Sequence, residues 1–244
     1  MEDPAAKTPP SEAGLGSVAM APAWHTSVVL LLLAAMVAVS FLGGRNAAGH
    51  IHHRQVGYAV VMAAEWLIFG FIAIGPRWHG PSLKALAGRF SPTLRSVALD
   101  LGIAAAYLLV ANILLAAVGF VLGHLMKAGD TEALKNLLPH TILEDSVFLL
   151  VALTAAICEE TIFRGYLQRQ FAGWTRNAAA GIVLQGIAFG AAHAYQGTTQ
   201  IIVIAFYGCM FGWLAWWRKS LRPGMLAHFL QDGIGGLALV KFMK

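Results

Sequence analysis

The feature that most constrains this chain is a succession of apolar runs close to the roughly 20 residues needed to cross a bilayer. Seven follow one another: Thr26–Phe41, Val56–Ile74, Val97–Leu122, Val147–Leu167, Ala178–Tyr195, Ile201–Trp217 and Met225–Val240. A segment in lipid must satisfy its own backbone polar groups, and a helix does so internally. The expected fold class is therefore all-α: a polytopic membrane helix bundle of about seven transmembrane helices. Composition agrees, with 12% of residues charged against about 25% in soluble domains.

The expected organisation is a disordered tail over 1–22, rich in Pro, Ala and Gly, then N-terminal transmembrane helices with an interfacial segment over 23–142, then a helical core over 143–244. The polar stretch Lys127–Pro139 is read as a short amphipathic helix. No basic region abuts the first run, which argues against a cleaved signal peptide. The net charge of +5 is read as loop charge that sets orientation, with no nucleic-acid partner. Ten Lys and Arg fall on the N-terminal side and six on the other, which puts the N-terminus in the cytoplasm of an integral protein of the cell membrane. Cys158 and Cys209 lie in apolar runs without a CxxC and form no disulfide framework. His50, His52 and His53 are read as an exposed loop tract. The glycine pairs Gly119/Gly123, Gly186/Gly190 and Gly208/Gly212 are read as points of close helix approach.

Charge inside the spans needs a reason. Glu159, Glu160, Arg164 and Asp232 all fall within apolar runs, each at about 2.5–3.5 kcal/mol at mid-bilayer if unpaired. Residues four apart share a helix face and adjacent ones do not. Glu160 is therefore expected to meet Arg164 as a structural pair, leaving Glu159 as the free carboxylate. Downstream, Phe189 and His193 share a face of the fifth span, with Gln185 a turn earlier, and His228 and Asp232 share a face of the seventh. These groups suit activation of a water and stabilisation of an oxyanion, a proton relay, or a zinc site built from Glu159, His193 and His228. Glu65, Asp100 and Asn112 are read as helix-packing partners or cavity lining.

In order, on successive helices, "EETIFR" (159–164), "FGAAH" (189–193) and "HFLQD" (228–232) resemble the motifs of the CPBP family, the CAAX prenyl proteases and bacteriocin-processing enzymes also called the Abi family. The resemblance covers about Asp145 to Gly236 and implies a four-helix core that hydrolyses a peptide bond within the membrane. It implies that Glu159 and His193 activate the water, that His228 and Asp232 stabilise the oxyanion, and that Glu160 and Arg164 support them. Phe189 is a candidate for substrate contact. The implied partner is a membrane-embedded or lipidated protein or peptide in the lipid bilayer. The family is described both as zinc-dependent and as metal-free and glutamate-dependent, and without HExxH the sequence leaves zinc or no cofactor open. Asp232 departs from the Asn of the eukaryotic prenyl-protein processors. An ionised Asp only accepts hydrogen bonds, which leaves a role through His228 or as a ligand. A non-catalytic scaffold or immunity protein shares every one of these features. A proton-coupled carrier ranks lower, because no internal repeat is visible.

One tension follows from helix rise. With the fourth span leaving the bilayer near Arg169 and the fifth entering near Asn177, Glu159 lies about 15 Å from that face and His193 about 24 Å.

Overall fold

The computed structural model describes residues 19–46, 51–75, 93–126 and 138–243, with four isolated residues (82, 84, 87 and 88) between the second and third stretches. Residues 1–18 of the expected tail, His50 and most of Lys127–Pro139 lie outside the described residues, as do the side chains of His52 and His53. Among the described residues every regular element is helical. The passes are α1 (Ala23–Asn46), α2 (Ile51–Ile74), α3 (Leu94–Leu125), α4 (Ile142–Thr175), α5 (Ala178–Ala192), α6 (Thr198–Arg218) and α7 (222–243). Five of these, α1 to α4 and α6, are long and apolar enough to cross a membrane. The shorter α5 has 15 residues, and α7 is built of three consecutive helical segments.

The centre of the bundle is α4. It starts at a reciprocal cap: the Thr141 hydroxyl accepts from the Glu144 N–H, and the Glu144 carboxylate accepts from the His140 N–H at 2.7 Å. It is α-helical over Ile142–Glu159, π-helical over Glu160–Leu167 and α-helical again over Gln168–Thr175. In the π segment the hydrogen bonds run i→i+5, a form that recurs at functional sites. Where the register changes, the Thr161 hydroxyl donates to the Ile157 carbonyl at 2.8 Å. A second π segment, Leu230–Gly235, interrupts α7 between Arg222–Phe229 and Gly236–Met243. Each π segment contains part of a charged motif.

The fourth helix ends later than the sequence indicates. Gln168, Arg169 and Gln170 read as an exit from the membrane, yet they lie inside α4, which continues to Thr175 and stops at Arg176 in the left-handed conformation (φ 53°). The polarity of the two glutamines has a structural use. Gln168 donates to the Gly212 carbonyl of α6 at 3.0 Å. Gln170 accepts from the Met20 and Ala21 N–H groups at 2.8 and 3.0 Å and donates to the Ala21 carbonyl at 2.8 Å. Met20 and Ala21, expected within the tail, are buried. The later end also removes the depth mismatch. Glu159 lies 16 residues before Thr175 and His193 lies 15 after Ala178, so each is about 22–24 Å from the shared turn by helix rise.

The N-terminal helices are integral to the core. His25 of α1 is buried, with Nδ1 2.7 Å from the Tyr166 hydroxyl of α4 and Nε2 3.1 Å from the Phe71 carbonyl of α2. Between α5 and α6, a Cβ on Gly186 or Gly190 would run into the α6 backbone, so glycine sets that close approach. Gly119 and Gly123 differ from the expectation. Among the described residues, nothing outside α3 lies within 4 Å of where their Cβ atoms would be, because only four residues of α3, Asp100, Ala104, Tyr107 and Ala111, are buried. Asp100 pairs with Arg222 at the start of α7, and Asn112 donates to Gln231 at 3.2 Å.

Candidate active site

Arg164 is the deepest charge. It is fully buried, with Nη1 3.1 Å from Glu160 Oε1, and its Nη2 donates to the Gly208 carbonyl at 3.4 Å. Its guanidinium carbon sits 4.1 Å from the Phe189 ring centre and 4.9 Å from that of Phe211. A planar, weakly hydrated cation suits such an aromatic enclosure. The Gly208 carbonyl also accepts from Gln185 at 2.8 Å, tying α4, α5 and α6 at one point. The four-residue spacing thus delivers the contact between Glu160 and Arg164.

Glu160 has a second contact that the spacing does not reveal. Its Oε1 is 3.1 Å from His228 Nδ1, across from α4 to α7. The absence of a side chain at Gly224 makes room: a Cβ there would stand 2.9 Å from Glu160 Oε2. On its other edge, His228 Nε2 is 3.2 Å from Asp232 Oδ2 and 3.6 Å from Glu159 Oε2. Both nitrogens of one imidazole therefore face carboxylates, and the adjacent glutamates of the first motif reach the same ring from opposite edges. Glu159 Oε2 is buried and has no hydrogen-bond partner among the described residues.

His193 occupies the C-cap of α5. Its Nδ1–H donates to the Phe189 carbonyl at 2.9 Å. In the neutral ring this fixes the tautomer and leaves the Nε2 lone pair as an acceptor. The Phe189 ring lies 4.7 Å from His193 and 6.3 Å from His228, between the two imidazoles. Phe189 is 3% exposed, so the side chain named for substrate contact is enclosed by Arg164 and the two histidines and braces them.

Two groups beyond the motifs belong to the same neighbourhood. The first is Glu65 of α2, buried, with an Oε2 that has no hydrogen-bond partner among the described residues. It interacts electrostatically with Glu159, His228 and Asp232. The second is Tyr195, in the short 3₁₀ turn after α5. Its ring is stacked 6.1 Å from that of His193, and its hydroxyl accepts from Gln196 at 3.1 Å. The sequence signal for Glu65 was a carboxylate on the same stripe as Tyr58, Ile68 and Ile72; for Tyr195 it was a phenol two residues past the histidine.

The zinc set that the sequence leaves open is Glu159, His193 and His228. Among the described residues, no three His, Cys, Asp or Glu side chains form a group that could hold a metal ion. His228 in particular turns both ring nitrogens to carboxylates.

Compared with known proteins, residues 141–234 match the family model described as Type II CAAX prenyl endopeptidase Rce1-like. No curated protein and no solved structure matches the chain.

Proposed function

Residues 141–234 are a domain of the CAAX-protease family, and from that premise we propose that the chain hydrolyses a peptide bond of a membrane-embedded or lipidated protein through a water activated by Glu159 and His193. Glu159 is the base with a free oxygen. His193 offers the Nε2 lone pair that its bond to the Phe189 carbonyl leaves available. The water oxygen bonds to the scissile carbonyl carbon while its proton passes to this pair, and the carbonyl oxygen becomes an oxyanion. His228 Nε2–H donates to that oxyanion, and Asp232 orients the ring. Collapse of the intermediate breaks the C–N bond, and the proton held by the base goes to the leaving amine.

The observation that carries this reading is the grip on His228. Glu160 fixes one nitrogen at 3.1 Å, and Glu159 and Asp232 face the other. A packing residue has no need of three carboxylates; a donor that must meet a developing charge does, since fixed orientation lowers the reorganisation required during reaction. The positions also suit the substrate. Glu159 lies near the middle of the 34-residue α4, so the scissile bond is reached within the membrane. In this reading the N-terminus is cytoplasmic and the protein resides in the cell membrane.

The test is cleavage of fluorescently labelled, membrane-anchored peptides by the purified protein in liposomes. Wild type is expected to release product and Glu159→Gln to release none. Equal product from both proteins would remove Glu159 from the chemistry, and no product from wild type across prenylated and transmembrane peptide libraries would defeat the protease reading.

A further inference from the structure

The seam between α2 and α4 contains a carboxylate that the three motifs do not account for. Along α2 the buried stripe is Tyr58, Glu65, Ile68 and Ile72. Its apolar members pack on α4 in register: the Tyr58 ring is 6.2 Å from that of Phe148, and Ile68 and Ile72 share a core cluster with Cys158 and Ile162. The two helices therefore run side by side in the same direction, and the register sets Glu65 level with Ala155, one turn before Glu159. The α4 face there is lined by Ala152, Ala155 and Ala156, all buried. Small side chains let α2 approach α4 closely at the point where a charged one arrives.

The cationic group whose field reaches Glu65 in this space is the His228 imidazole. Its Oε2 lacks a hydrogen-bond partner among the described residues. Its electrostatic partners are Glu159 first, then His228 and Asp232 on α7, and its field also reaches Cys158 on α4 and Tyr195 after α5. A buried carboxylate facing a second carboxylate is costly, and it persists where something is bound between them. Water is a suitable occupant, since it donates two hydrogen bonds and the free oxygens of Glu65 and Glu159 each accept one.

We propose that Glu65 is a further catalytic residue of this site, contributed by a helix outside the family-matched segment, and that it holds the attacking water jointly with Glu159. One water proton is shared between Glu159 and His193 Nε2, and this pair takes it during attack. The other points to Glu65 and remains on the oxygen as the hydroxyl of the tetrahedral intermediate. The water lone pair is thereby aimed away from both carboxylates, toward the scissile carbon. When the C–N bond breaks, the first proton leaves with the amine and the second stays on the new carboxyl terminus. The role of α2 is then to complete the nucleophile site.

This inference rests on the protease reading and is tested within it, with Glu159→Gln as the control that reports on the reading itself. Glu65→Leu keeps the side-chain volume and removes the acceptor; Glu65→Gln keeps an acceptor oxygen. With melting temperatures equal to wild type, Glu65→Leu is expected to lower kcat by about 100-fold with KM within about twofold, and Glu65→Gln to retain kcat within about tenfold. Wild-type kcat in Glu65→Leu, a loss confined to KM, or a Gln variant as inactive as the Leu variant would each overturn the assignment. Should Glu65→Leu fail to fold, Glu65→Met, which also lacks the carboxylate acceptor, takes its place, with the same expected loss of kcat at constant KM and the same overturning result of a wild-type kcat. A wild type that cleaves nothing removes the protease reading and this inference together, whereas an active wild type with an active Glu65→Leu removes only the inference.

Discussion

The two π segments show one backbone device in two settings. All eight residues of Glu160–Leu167 in α4 are buried, and the segment's cation is enclosed by aromatic rings and a carboxylate. In Leu230–Gly235 of α7, Gly233 is the one buried residue, and the Asp232 side chain is 45% exposed. The first segment works as a fixed frame and the second as an opening to the surroundings. His228, at the end of the α-helical turn before the second segment, is joined to both: to the frame through Glu160 and to the opening through Asp232. A wide helical turn is therefore not in itself a sign of mobility. What surrounds it decides whether it holds a group still or presents it.

The contrast predicts different kinds of damage on the two sides. The largest effect belongs to the frame. Arg164→Ala removes the arginine partner of buried Glu160 and leaves it His228 alone, a loss of about 3–5 kcal/mol, and is expected to abolish folded yield as read by size exclusion in detergent; a well-folded Arg164→Ala protein would show that the frame is not what holds α4. Next comes Glu159→Gln, beside the frame but free of it: cleavage falls by about 100- to 10,000-fold while the melting temperature stays at the wild-type value. If instead Glu160→Gln were folded and inactive while Glu159→Gln cleaved, the two glutamates would exchange roles. At the opening, Asp232→Asn is expected to fold and to lose about tenfold in rate, because the amide still orients His228, and Asp232→Ala to lose about tenfold more; equal loss in both would mean that the carboxylate itself is indispensable. The smallest effect is expected for Tyr195→Phe, a change of a few fold in kcat with no change in stability, since the phenol, stacked on His193, is at most an auxiliary donor. A loss as large as that of Glu159→Gln would move Tyr195 to the centre of the mechanism.

Much of the site could be read from spacing. The four-residue intervals correctly brought Glu160 to Arg164, Phe189 to His193 and His228 to Asp232, because contacts within one helix follow from its pitch. Contacts between helices do not. Nothing in the sequence joins Glu160 to His228, 68 residues apart, or places Glu65 beside the site. Hydropathy also misjudged the end of α4, since Gln168 and Gln170 look the same whether they meet water or a backbone in another helix. The π segments are invisible for a similar reason, because their residues are as apolar or as charged as those of an α-helix in the same place. The glycine pairs show the limit of a short motif: Gly186 and Gly190 meet α6, while Gly119 and Gly123 meet no other helix among the described residues.

The clasp of Gln170 on Met20 and Ala21 also orders assembly in time. Its two partners are separated by 150 residues of chain, and synthesis proceeds from the N-terminus. The start of α1 therefore waits through the making of α2, α3 and most of α4 before the side chain that accepts its N–H groups exists. Until then α1 is held by its apolar length and by its contacts with α2, such as His25 on the Phe71 carbonyl. The N-terminal segment is thus a latch that closes only once α4 has been made, with three helices still to follow.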